Sequence, residues 1–245
     1  MRNPIIVALD VPTAEAALKL AEQLAPVAGG FKIGSELFTS AGPDIVRRIR
    51  ERGAPVFLDL KFHDIPNTVA KAVASATRLD VQMLTIHTSG GLEMMRAGEK
   101  SAQDTAKSLG LPPPRVLGVT VLTSSNDSTL AEIGCEPDVV AQVERLARLA
   151  VQAGLRGLVC SPLEIVALRK ILPAPVQLVT PGIRPRLGEA SGAAWAGTGK
   201  ADDQKRTLTP REAIDAGANW LVIGRPIYAA ENPRAAAEII LESLR

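Results

Sequence analysis

Short β-rich runs alternate with Ala/Leu-rich helical stretches along the whole chain. Strands read at Ile5–Leu9, Phe31–Ile33, Val56–Lys61, Met83–His87, Val116–Leu122, Gly157–Cys160, Gln177–Thr180 and Trp220–Ile223. Helices read between them at about 13–27, 43–52, 67–79, 91–108, 137–153, 162–171 and 210–216, with a last one at about 233–244. Alternation of this kind requires a parallel sheet covered by helices, because a parallel strand pair needs a crossover connection. Eight such units in 245 residues match the size of a (β/α)8 TIM barrel, so the expectation is a single domain spanning residues 1–245. An open doubly wound sheet is the alternative. It usually carries G-x-G-x-x-G after its first strand, whereas here the first strand runs into Ala8-Leu9-Asp10-Val11-Pro12.

Composition narrows the functional classes. A hydrophobic content of 46% supplies a core without covalent staples. The two cysteines, Cys135 and Cys160, form neither a disulfide framework nor a metal-ligand spacing, and Cys160 lies in the apolar run GLVCSP, as a buried reduced thiol would. Met1 leads directly into an apolar strand with no basic n-region or cleavage site, and no apolar run approaches the ~18 residues of a membrane span, so a cytoplasmic protein without membrane contact is expected. Lys and Arg number 28 against 26 Asp and Glu, with four Phe, two Trp and one Tyr. That balance offers neither a basic stripe nor a stacking platform, and nucleic acid is not an expected partner.

The third strand carries the most informative chemistry. Within Pro55–Val69, PVFLDLKFHDIPNTV, apolar Val56, Leu58, Leu60 and Phe62 fall at every second position and should face the helical layer. Phe57, Asp59 and Lys61 then face the other side, inside a barrel or crevice, where unpaired charge costs several kcal/mol. Asp64 follows just past the strand end, and Pro66 marks the first turn of a helix. Asp-x-Lys-x-x-Asp thus straddles the C-terminal edge of a strand, where parallel α/β folds place their sites.

Strand ends converge in a barrel, so Asp10 after the first strand and Lys32 on the second join Asp59, Lys61 and Asp64. For any one pair a structural salt bridge is the plainer reading; five groups of alternating sign from three consecutive strands favour a site. Thr120 and Thr123 end the fifth strand, although threonine there also satisfies β-propensity. The seventh strand ends at Thr180-Pro181-Gly182-Ile183-Arg184 and the eighth at Ile223-Gly224-Arg225. Loops after these two strands commonly bind phosphate in this fold, with Gly224 admitting backbone amides and Arg225 supplying a guanidinium fork. The stretch from about 184 to 208 exceeds the ~12–15 residues of ordinary loops and reads as a lid on the site face, or else as a disordered insertion; its Gln204 and Arg206 could close over the same anion. His63 and His87 lack partners at ligand spacing, so a rim hydrogen-bonding role is expected rather than a zinc site.

Taken in order, VALD, FKIG, DLKFHDIPNTV, VTVLTS, VTPGIR and VIGRPI resemble the orotidine 5′-monophosphate decarboxylase family of the bacterial type, over essentially the whole chain. Related sugar-phosphate enzymes share Asp-x-Lys-x-x-Asp but carry a magnesium-binding glutamate where this chain has Lys32. The resemblance implies cofactor-free and metal-free decarboxylation of orotidine 5′-monophosphate to uridine 5′-monophosphate, the last step of pyrimidine nucleotide synthesis. It implies that Lys61 stabilises and protonates the C6 carbanion, with Asp59, Lys32 and Asp64 completing a charged array. It further implies that Asp10 and Thr68 contact ribose, Thr123 meets the pyrimidine edge, Pro181 flanks the base, and Gln204, Gly224 and Arg225 hold phosphate, joined by Arg184. A homodimer is implied too, in which Asp64 and Thr68 reach into the partner's site. The alternatives are a magnesium-dependent sugar-phosphate decarboxylase or aldolase and a non-catalytic binder of phosphate ligands.

Overall fold

Strict alternation in the apolar runs has the consequence expected of it. In a computed structural model that describes residues 3–185 and 207–244, eight parallel strands close into a barrel in sequence order. They are β1 (Ile5–Ala8), β2 (Gly30–Gly34), β3 (Val56–Phe62), β4 (Met83–His87), β5 (Arg115–Val119), β6 (Gly157–Val159), β7 (Gln177–Thr180) and β8 (Trp220–Ile223). Closure runs through Ile6 opposite Val222 on one side of β1 and Val7 opposite Phe31 on the other.

Among the described residues the helices are α1 (Ala14–Leu24), α2 (Ser35–Ala41), α3 (Asp44–Arg50), α4 (Pro66–Thr77), α5 (Gly91–Leu109), α6 (Asp127–Glu132), α7 (Val139–Gln152), α8 (Ile165–Ile171), α9 (Pro210–Ala216), α10 (Arg225–Tyr228) and α11 (Pro233–Glu242). Their starts are written in the sequence. Thr13, Asn126, Asp138, Thr209 and Asn232 each accept a backbone N–H in the first turn of the helix that follows, and Thr209 forms a reciprocal capping box with Glu212. Pro66, as expected, opens α4.

The two faces of the strands build two cores. Outward residues such as Ile5, Val7, Ile33, Val56, Leu58, Leu84 and Ile86 pack under the helices. Inward residues Ile6, Ala8, Phe57, Met83, Leu117, Val179, Trp220 and Val222 form a separate cluster inside the barrel. Phe57, Met83 and Trp220 plug the N-terminal half, while Ala8, Val119, Val159 and Val222 floor a cavity at the C-terminal end. The expected strand through Leu122 stops instead at Val119, where the pairing with β6 ends at Val159. Beyond that point Thr120 is held by its hydroxyl, which donates to the Val159 carbonyl at 3.4 Å.

Candidate active site

β3 departs from a regular ladder at its charged end. Leu58 pairs with Leu84 and Phe62 with Ile86, so four steps along β3 face two along β4. Such bulges re-aim side chains beside active sites. Lys61 sits at the bulge with φ 50°, a left-handed conformation that costs a non-glycine residue about 1–3 kcal/mol. Simple alternation predicted its direction, but the bulge is what delivers it.

The charged groups form one connected array of alternating sign. Lys32 Nζ lies 2.8 Å from Asp10 Oδ1 and 3.9 Å from Asp59 Oδ2. Lys61 Nζ lies 2.9 Å from both oxygens of Asp59. The side chains of Asp59 and Lys32 are 13% and 12% exposed, and that of Lys61 35%. The two inner charges are therefore largely removed from water, and each depends on its neighbours for compensation. Gly34 leaves room for this arrangement: a Cβ there would stand 3.0 Å from Lys32 Nζ. Behind the array, His63 and His87 stack at a tilt with ring centroids 5.4 Å apart. Burial, then the neighbouring His63 and Lys61, hold the His87 imidazole below its ordinary value against the opposing pull of Asp59.

These groups line a cavity of about 600 Å³, within the about 300–1,000 Å³ that encloses small ligands. Asp10, Lys32, Asp59, Lys61, Thr123, Pro181, Arg184, Gly224 and Arg225 all reach its wall. Arg184 and Pro181 follow β7, which stands four strands from β3 around the closed barrel. The chain is drawn together just beyond them, where Ile183 pairs with Leu208 and Arg184 N–H donates to the Leu208 carbonyl at 2.9 Å. Gln204 and Arg206, with most of the expected lid, lie outside the described residues. Asp64 and Thr68 are exposed at the start of α4 and line no part of their own chain's cavity; Asp64 Oδ1 accepts the Ile65 N–H at 2.6 Å.

The sequence reading missed Glu36, Gly182 and Tyr228, which also line the cavity. Glu36 lies in the first turn of α2, two residues past the end of β2, and Tyr228 follows Arg225 at helical spacing; both were traceable only by extending a short helix from a strand end. Cys160, expected to be buried, is so: it follows β6 beside the cavity, with its side chain in the core under the helices.

Charges gathered on an inward face, two of them largely withdrawn from water, add little to stability, since apolar replacements commonly serve as well, and they converge where barrels house catalysis; the molecule is a (β/α)8-barrel enzyme. Comparison with known proteins sharpens the class. The profile of the orotidine 5′-phosphate decarboxylase / HUMPS family matches residues 3–240, and the chain belongs to that family. It is 52% identical over 245 residues to the orotidine 5′-phosphate decarboxylase of Opitutus terrae, covering 100% of both chains. It is also 52% identical over 242 residues to that of Pseudomonas syringae pv. syringae, covering 98% of this chain and 97% of the relative. The crystal structure of orotidine 5′-phosphate decarboxylase from Lactobacillus acidophilus superposes with a TM-score of 0.84 at 34% identity, covering 99% of each chain.

Proposed function

We propose that this chain decarboxylates orotidine 5′-monophosphate to uridine 5′-monophosphate and CO2 in pyrimidine nucleotide synthesis, using its own charged side chains without metal or cofactor. The observation that carries the reading is the unbroken Asp10–Lys32–Asp59–Lys61 array on the cavity wall. Loss of CO2 from C6 leaves an electron pair in the plane of the ring, where the π system cannot delocalise it. Stabilisation must then come from a fixed external charge, and preorganised charge in a water-poor site is the strongest such device. Lys61 supplies that charge and then the proton; Asp59 lies beside the departing carboxylate.

The remaining roles rest on the family resemblance, supported by the cavity-wall positions of Asp10, Thr123, Pro181, Arg184, Gly224 and Arg225. Gly224 and Arg225, with Arg184 and Gln204, hold the phosphate; Asp10 meets the ribose; Thr123 and Pro181 meet the pyrimidine. Segment 184–208 closes over the phosphate, so that binding energy remote from C6 lowers the barrier rather than merely raising affinity. Asp64 and Thr68, exposed and off their own cavity, serve the site of a partner in a cytoplasmic homodimer. The metal-dependent branch of the family is disfavoured by Lys32, whose ammonium, 2.8 Å from Asp10 and 3.9 Å from Asp59, takes the place between carboxylates that a divalent cation would need. A spectrophotometric assay of orotidine 5′-monophosphate consumption tests the proposal, with full turnover expected before and after exhaustive chelation. Activity lost to chelation, or tight uridine 5′-monophosphate binding with no turnover, would overturn it.

A further inference from the structure

Thr85, at the centre of β4, is fully buried and lies outside the cavity wall, yet its hydroxyl joins the two groups on which the proposed chemistry depends. Where β3 runs in excess of β4, the Lys61 N–H loses its place in the regular strand ladder. It donates instead to Thr85 Oγ1 at 2.8 Å. The same oxygen lies 3.0 Å from Asp59 Oδ1. The direction of both bonds is compelled. A backbone N–H can only donate and a carboxylate can only accept, so the hydroxyl receives Lys61 on a lone pair and spends its single proton on Asp59.

One side chain thereby fixes the backbone of Lys61 and the carboxylate plane of Asp59. Asp59 Oδ1 takes Thr85 and Lys61 Nζ, and Oδ2 takes Lys61 Nζ with Lys32 further off. The left-handed φ of Lys61 persists only where surrounding bonds over-determine it, and the Thr85 hydroxyl is the bond made directly to that residue's amide. We infer that Thr85 is a positioning residue for decarboxylation, setting the Lys61 ammonium and the Asp59 carboxylate in their reacting arrangement before substrate arrives. This inference rests on the catalytic roles proposed above for Lys61 and Asp59.

Valine is nearly isosteric with threonine but leaves the Lys61 N–H unpaired and removes a donor from Asp59. The proposed phosphate and base contacts, after β5, β7 and β8, lie on other strands. Purified wild type, Thr85→Val and Thr85→Ser are compared for kcat, KM and uridine 5′-monophosphate affinity. Thr85→Val is expected to lower kcat about 10- to 100-fold, the effect of losing hydrogen bonds to a charged site, while KM and nucleotide affinity stay within about twofold. Thr85→Ser, which keeps the hydroxyl, should recover most of kcat. Should Thr85→Val fail to fold, Thr85→Ala against Thr85→Ser carries the same comparison. Equal kcat in wild type and Thr85→Val, or a serine variant as impaired as its partner variant, overturns the inference alone. A wild type that does not consume orotidine 5′-monophosphate overturns the proposed function and this inference with it.

Discussion

Lys61 meets two demands that ordinarily conflict, since its ammonium must lie against Asp59 and still face the cavity. The bulge resolves them by turning the backbone, so that both carboxylate oxygens lie 2.9 Å from Nζ while about a third of the side chain stays accessible. Lys61→Ala is expected to reduce turnover at least about 10³-fold. Calorimetric binding of uridine 5′-monophosphate should survive, because the proposed phosphate contacts lie on other strands; substantial residual turnover would remove the assigned role. Cys160 gives a residue-scale prediction of another kind. Burial first, then the nearby Glu164, push its thiol up to about 12 from an ordinary 9.0. The folded thiol keeps its proton where the unfolded one has lost it, so this group's contribution is complete below pH 9.0 and drains away as pH rises towards about 12. Between pH 8 and pH 10.5, chemical denaturation should show wild type losing about 2 kcal/mol more than Cys160→Ala; parallel profiles would contradict this. Asp10, Lys32, Asp59 and Lys61 were legible together, because charges of alternating sign at the ends of three consecutive strands converge in a barrel, although any one pair reads more plainly as a salt bridge. Thr85 and Gly34 were not: a threonine in a strand is explained by β-propensity, and the space a glycine leaves shows only once its neighbour is placed.

At the scale of elements, the eight strands and the long helices were legible because period two and period 3.6 diverge strongly over runs of that length. Helices α2, α6 and α10 were not. Each is seven residues or fewer and is an extra helix between a strand and the helix read after it, in a stretch that reads as connection. The tail of β5 has strand composition but leaves the sheet because β6 offers no further partner. Elements also divide the labour between the two ends of the barrel. At the N-terminal end, Arg169 of α8 donates to the carbonyls of Val176 and Gly217 at 2.7–2.9 Å and to the Asn219 side chain, whose Oδ1 also accepts the Leu178 N–H at 2.8 Å. One guanidinium thus ties α8 to the entries of β7 and β8, far from the charged rim. Arg169→Ala is expected to cost about 2–4 kcal/mol of stability with kcat within about twofold. A thermal-unfolding midpoint equal to wild type, or a collapse of kcat in folded protein, would contradict this division.

At the scale of the molecule, the barrel holds a solid half and an open half, with Phe57, Met83 and Trp220 closing the bottom against the cavity above. The same segment that arms this cavity continues into a surface it does not share. Asp64 and Thr68 stand exposed beside Ile65, which is 66% accessible. If those residues complete a partner's site, mixing Lys61→Ala with Asp64→Ala subunits should restore up to about a quarter of wild-type activity, since a random mixture places half its subunits in hybrid dimers with one intact site each. No recovery after verified subunit exchange would show that each chain works alone. The bulge in β3 bears on the whole barrel as well, through simple parity. Its excess over β4 is two residues, an even number, so Leu58 and Phe62 both still face the helices and the pleat is in phase on either side. A single-residue insertion or deletion between them would turn Phe62 into the cavity and Lys61 into the helical layer. An even excess keeps the pleat in phase and an odd one inverts it, so the barrel accommodates the bulge that aims Lys61 without turning any of its apolar faces.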